Sequence, residues 1–203
     1  DRGRRLPARV ELTALGDDDS TVFEGAVMPT SAGAVDDDEG RPVRAVFEAP
    51  PGALRLRMSI EDSASRVIDH DVREISLRDL KGPVVMSTPE VFRTRNAREF
   101  RALAADAAAA PVASREFSRT ERLLIRVRAY AASGARPAIS ATLENRLGQT
   151  MRDLTVTPAT TADRPDQIDL PLAPFASGEY HLALKAHAPD GETRDVVTFR
   201  ITS

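Results

Sequence analysis

The sequence predicts an all-β chain made of two immunoglobulin-like, fibronectin III-like antiparallel β-sandwiches with one short connecting helix. Three observations predict it. Apolar residues recur at every second position, turn residues separate those runs, and one alanine-rich segment with helical spacing divides them into two groups.

The alternation comes first because it assigns faces. In a strand, successive side chains point to opposite sides, so a period of two puts one face on a core and the other in water. Val10, Leu12 and Ala14 alternate with Arg9, Glu11 and Thr13, and Leu54, Leu56, Met58 and Ile60 alternate with Arg55, Arg57 and Ser59. Further on, Leu123, Ile125, Val127 and Ala129 alternate with Arg122, Leu124, Arg126 and Arg128. Ile168, Leu170 and Leu172 follow, then Tyr180, Leu182, Leu184 and Ala186, and finally Val197, Phe199 and Ile201 between Thr198, Arg200 and Thr202. Strands wet on one side belong to antiparallel sheets. Pro50-Pro51-Gly52, Leu147-Gly148-Gln149, Ser177-Gly178 and Pro189-Asp190-Gly191 break the chain between runs. In the last of these, proline presets φ and glycine accepts a positive one, which predicts a hairpin of strands 179–187 and 193–202.

One segment departs from the pattern. Asn96 is a helix N-cap residue and Glu99, three positions on, completes a capping-box-like start. Phe100, Leu103, Ala104 and Ala107 keep helical spacing until Pro111. The spacing predicts a helix over 97–107. It gives a first sandwich domain at 1–95, a helical linker at 96–110 and an immunoglobulin-like sandwich at 111–203, each sandwich of ordinary size for that fold.

Composition narrows the function classes. The 203 residues carry 28 basic and 31 acidic side chains, a net charge of −3, and no cysteine. Without cysteine there is no catalytic thiol, thiolate metal site or disulfide framework, and a chain of this length can bury enough surface to do without staples. Only Lys81 and Lys185 are lysines, and the abundance of arginine and alanine fits a GC-rich coding bias. Acids sit beside the arginines, as in Arg73-Glu74, Arg78-Asp79 and Arg98-Glu99, so the concentrated basic field of a nucleic-acid binder is missing. No apolar run approaches the ~20 residues of a membrane-spanning helix. Asp1-Arg2-Gly3-Arg4-Arg5 opens the chain without methionine or a signal-type apolar stretch, which predicts a processed or excised fragment.

The chemistry-bearing residues are few. Tyr180, just after the Ser177-Gly178 turn, sits where Greek-key sandwiches place a tyrosine that bonds back to the upstream backbone, the alternative being an ordinary core aromatic. The histidines are His70, His181 and His187. Six residues of strand put His181 and His187 about 20 Å apart, too far to share a metal ion. His70, between Asp69 and Asp71, reads as a surface turn residue. The acidic runs Asp17-Asp18-Asp19 and Asp36-Asp37-Asp38-Glu39 read as solvated loops, since adjacent aspartates cannot all face one calcium ion. Glu61-Asp62-Ser63-Ala64-Ser65 approaches the Asp-x-Ser-x-Ser metal motif of von Willebrand factor A domains but begins with glutamate, and reads as a polar loop. There is no nucleophile elbow and no phosphate-binding glycine loop. The expectation is a chain with no catalytic, cofactor-binding or metal residues, hence not an enzyme, and with no cofactor.

The stretch Arg115-Glu116-Phe117-Ser118-Arg119-Thr120-Glu121-Arg122-Leu123-Leu124-Ile125-Arg126-Val127 resembles the VWFA-related proteins common in acidobacteria. So do Glu144-Asn145-Arg146-Leu147-Gly148, Gln167-Ile168-Asp169-Leu170-Pro171-Leu172 and Ser177-Gly178-Glu179-Tyr180. The likeness is to the C-terminal β-rich region that follows the von Willebrand-like domain, most clearly from about residue 40 onward. The resemblance implies a periplasmic or extracellular protein with a structural or interaction role, as in a surface assembly, and it transfers no site residues. A protein partner or self-association is the expected binding mode. A carbohydrate- or peptide-binding module of a larger exported protein is the alternative.

Overall fold

A computed structural model of the chain describes residues 7–28, 45–161 and 164–203. The acidic run Asp36–Glu39 lies outside the described residues. The chain divides into two compact units, residues 1–79 and 80–203.

The first unit is one antiparallel sheet. Its strands are β1 (Arg9–Leu15), β2 (Thr21–Val27), β3 (Gly52–Glu61) and β4 (Val67–Leu77), in the order β2-β1-β3-β4. Register follows the alternation: Leu12 lies opposite Met58 and Ala14 opposite Leu56, so the apolar positions of β1 and β3 share a face. Ala14 and Leu54 are buried there, while Leu56, Met58 and Ile60 remain half-buried. The Asp17–Asp19 run does structural work at the start of β3. Asp17 Oδ1 accepts from the Ala53 N–H at 3.0 Å, and Arg55 donates to Asp19 at 2.7 Å. Gly52 has φ +132°, and a Cβ there would stand 2.6 Å from Asp17 Oδ2, so only glycine fits.

The second unit is a two-layer sandwich. Its elements in order are β5 (Val84–Met86), β6 (Glu90–Thr94), α1 (Ala97–Ala105), β7 (Glu116–Ser118), β8 (Arg122–Val127), β9 (Ala129–Ala131), β10 (Ala138–Asn145), β11 (Thr150–Leu154), β12 (Val156–Thr157), β13 (Asp166–Pro171), β14 (Gly178–Ala188) and β15 (Gly191–Thr202). One sheet runs β12-β13-β8-β6, the other β11-β10-β14-β15-β7, and β5 pairs with β9. With β6, β8, β10, β12, β13, β14 and β15 taken as strands A to G, these are the A-B-E-D and C-F-G sheets of the immunoglobulin-like sandwich. The alternation seen in the sequence becomes burial: Leu123, Ile125 and Val127 from one sheet meet Leu182, Leu184 and Ala186 from the other in a single core. Around the Tyr180 ring, Phe175 packs edge-on at 5.8 Å and Phe199 stacks at 6.1 Å.

The domain boundary needs correction. The division expected near residue 95, with a linker at 96–110, falls instead between Asp79 and Leu80. The cause is pairing: β6 hydrogen-bonds to β8, from Glu90–Arg126 to Thr94–Arg122, and α1 packs on those two strands as part of the second unit. The sandwich form expected of the chain is complete in the second unit, and the described residues of the first form one four-stranded sheet.

The helix itself starts as its residues dictate. Asn96 Oδ1 accepts from the N–H groups of Arg98 at 3.0 Å and Glu99 at 2.9 Å, and Glu99 reaches back to the Arg95 N–H at 2.8 Å. Its C-terminus is held from the sheet. Leu124 and Arg126 point away from the sandwich core, and the buried Arg126 guanidinium donates to the carbonyls of Leu103 and Asp106. That places a cation at the negative end of the helix, over the Phe92 ring at 4.5 Å. Burial nevertheless holds Arg126 below the usual arginine range, with the Glu90 and Asp106 charges opposing the shift.

Candidate functional site

The histidines are dispersed, as the strand spacing requires. His181 meets Thr198 Oγ1 at 3.0 Å across β14 and β15, and His187 is exposed further along β14. His70 stands in the middle of β4 and not in a turn, which corrects the sequence reading. The Glu61–Ser65 segment is the β3–β4 hairpin. Asp62 is buried, and its Oδ1 accepts from the Ala64 N–H at 2.8 Å and the Arg66 N–H at 3.0 Å. Its carboxylate is consumed by the turn it closes. Tyr180 forms the corner: its hydroxyl donates to the Ala176 carbonyl at 2.9 Å, at the start of β14.

Two surfaces remain as places where another molecule could bind. The first is a cleft of about 270 Å³ at one end of the sandwich. Tyr130, half exposed on β9, forms one side, and Arg136, Thr160, Arg164 and Asp166 contribute polar groups. Asp166 organises this end. It is buried, pairs with Arg136, and accepts the Ala159 N–H at 2.7 Å, while Arg136 also donates to the Ala159 carbonyl at 2.7 Å. A carboxylate so occupied is a brace. What the cleft offers a ligand is an aromatic face and guanidinium donors.

The second surface is the outer edge of β4. This strand is 11 residues long and, among the described residues, pairs with β3 alone, at the end of its sheet. Val67, Val72 and Ile75 are exposed along it. The Ile60–Asp69, Met58–Asp71 and Leu56–Arg73 pairs put three charged residues of β4 on the apolar face of the sheet. Asp71 and Arg73 form an ion pair at 2.8 Å, and this hydrogen bond, the largest influence on the group, holds the Asp71 carboxyl below the usual range. Charges turned toward the apolar face at a sheet edge discourage indiscriminate strand addition. Neither surface was marked by a motif: the cleft is assembled from separate loops, and β4 breaks the alternation that reveals the other strands.

Among the described residues, no three His, Cys, Asp or Glu side chains converge as a metal site, and no helix is long and apolar enough to cross a membrane. The buried acids among them are Asp62 and Asp166, one in each unit, both held by structural bonds.

No protein-family model and no curated protein matches the chain. Among solved structures, the fibronectin(III)-like modules of Clostridium thermocellum CbhA are similar at 13% identity, covering 99% of this chain and 81% of that one, with a TM-score of 0.31. An overlap that low adds nothing to the fold already given by the strand order.

Proposed function

We propose that the chain is a non-catalytic structural or protein-interaction module of an exported protein, similar to the β-rich region of the VWFA-related family. The observation that carries this reading is the edge of β4, a long strand that ends its sheet among the described residues and exposes branched side chains. Main-chain bonds to an added strand supply affinity there, and the flanking side chains supply selectivity. In support of a non-catalytic role, the two buried acids among the described residues, Asp62 and Asp166, are spent on a turn and a brace. The full-length gene product is expected in the periplasmic or extracellular fraction, and recovery wholly from the cytoplasm would overturn export. In intact cells, a residue-specific crosslinker placed on β4 is expected to give a defined adduct. A chain that yields no adduct there, and stays monomeric in light scattering, is not an interaction module.

A second reading, a carbohydrate- or peptide-binding module, is favoured by the Tyr130 cleft. It predicts saturable binding on a glycan or acidic-peptide array that Tyr130→Ala abolishes. Unchanged binding by the variant, or an array with no binder, removes it.

A further inference from the structure

The outer edge of β4 has a sequence that fits itself. Its backbone orientation follows from one bond. The His70 N–H donates to the Asp69 carboxylate at 2.8 Å, so it points away from β3. Because strand residues alternate sides, the N–H and C=O groups of His70, Val72 and Glu74 all face outward.

We propose that β4 pairs antiparallel with β4 of a second copy, about a two-fold axis at Val72. Such pairing rests on the interaction-module reading and names its partner. In this register Val72 faces Val72 of the other copy as a hydrogen-bonded pair, and His70 faces Glu74, again using outward groups. Asp71 then lies opposite Arg73, twice, once on each side of the axis. Asp69 faces Ile75, and Val67 faces Leu77. The carbonyl of Glu74 from the second copy replaces the Asp69 carboxylate as acceptor for the His70 N–H.

The other registers centred between His70 and Glu74, which keep most of the strand paired, fail on charge. An axis at Asp71 sets that aspartate against itself, and an axis at Arg73 does the same to the arginine. An axis at Glu74 opposes two glutamates, and one at His70 opposes Asp71 to Asp69. Parallel in-register pairing brings every charge beside its own kind. Like charges directly opposite are destabilising and opposite charges stabilising, so the ladder selects the axis at Val72. The same inward-facing charges that bar other strands admit this one, and a two-fold contact closes on itself without growing into a fibre.

The chain has no cysteine, so single cysteines report the register cleanly. In the full chain, Val72→Cys is expected to form a disulfide dimer under mild oxidation. The paired Cα atoms would stand about 5.5 Å apart, within disulfide reach. Glu74→Cys is expected to stay reduced, since its two copies would lie roughly 13 Å apart along the strands. Without cysteines, D71R and R73D should each weaken self-association about tenfold or more in sedimentation equilibrium. Mixing the two variants should restore a one-to-one dimer, and the double variant D71R/R73D should self-associate like the native chain. Equal oxidation of the two cysteine variants, undiminished association of D71R, or no rescue on mixing would overturn the proposal. A native chain that stays monomeric while its β4 crosslinks to a different protein in cells also overturns self-pairing, yet leaves the interaction module standing. Monomer with no adduct at all overturns both.

Discussion

β3 in the first unit and β14 in the second carry the same signal and reach different ends. Each alternates apolar and polar residues over four repeats, Leu54 to Ile60 in one and Tyr180 to Ala186 in the other. In β14 Tyr180, Leu182, Leu184 and Ala186 are all buried, Leu182 and Leu184 at 1% exposure, because a second sheet lies across that face. In β3 only Leu54 reaches that state, at 3%, and Leu56, Met58 and Ile60 stay half-buried. A period of two therefore establishes that a strand has an apolar face. It does not establish that a second layer covers it, since coverage depends on pairings between distant segments.

The largest effect that tests this contrast is truncation in each region. Leu182→Ala removes a side chain packed from both sheets and should cost about 3–5 kcal/mol. Leu56→Ala, half exposed before the change, should cost about 1–2 kcal/mol. Urea unfolding followed by amide exchange resolves the two units, and each loss should appear in the amides of its own unit. Equal costs would mean that the two faces are equally covered.

Next in size is Arg126→Ala. It leaves the Leu103 and Asp106 carbonyls without their donor and empties the space over Phe92, and should cost about 2–3 kcal/mol. Arg126→Met keeps the packing and removes a buried charge, so it should cost less. Loss of helical circular dichroism in Arg126→Ala, with the sandwich retained, would confirm that the guanidinium anchors α1. Tyr180→Phe follows at about 1 kcal/mol, the worth of one hydrogen bond to the Ala176 carbonyl. A neutral change would mean that the Tyr180 ring, stacked on Phe199, does all the work at that corner.

These residues mark what was legible beforehand. The corner was readable because a tyrosine after a Ser-Gly turn has a local geometric meaning, and α1 because Asn96 and Glu99 satisfy neighbouring N–H groups. The β14–β15 hairpin was readable from Pro189-Asp190-Gly191, and Gly191 indeed takes φ +151°. By contrast β6 gives no periodic signal in five residues, and its pairing with β8 is non-local, so the domain boundary was misplaced. β4 was missed for a different reason. Asp69, Asp71 and Arg73 occupy the positions where alternation expects apolar residues, and those substitutions are what make its edge selective. The Tyr130 cleft depends on where Gly134 to Pro137 meet Thr160, Thr161, Arg164 and Asp166, which no local pattern encodes.

The smallest effect tests whether the two regions differ in acid. Each has exposed carboxyls held below their ordinary values by hydrogen bonds. In the first unit Asp18 is lowered by Ser20, and in the second Asp190 is lowered by Ser133 and Glu192 by Lys185. A carboxyl with a depressed folded-state value contributes stability above its unfolded value and loses it as pH falls through the folded one. Both units should thus weaken below the ordinary values of 3.8 for aspartate and 4.5 for glutamate, in the same direction. Asp190→Asn should lower the urea midpoint of the second unit near pH 7, and the gap should close as pH falls through the lowered folded-state value and the native aspartate takes up its proton. Asp18→Asn should do the same in the first unit alone. A gap between Asp190→Asn and the native chain that does not narrow as the pH is lowered would show that the amide disturbs the Ser133 contact itself, and that charge is not the source of the effect.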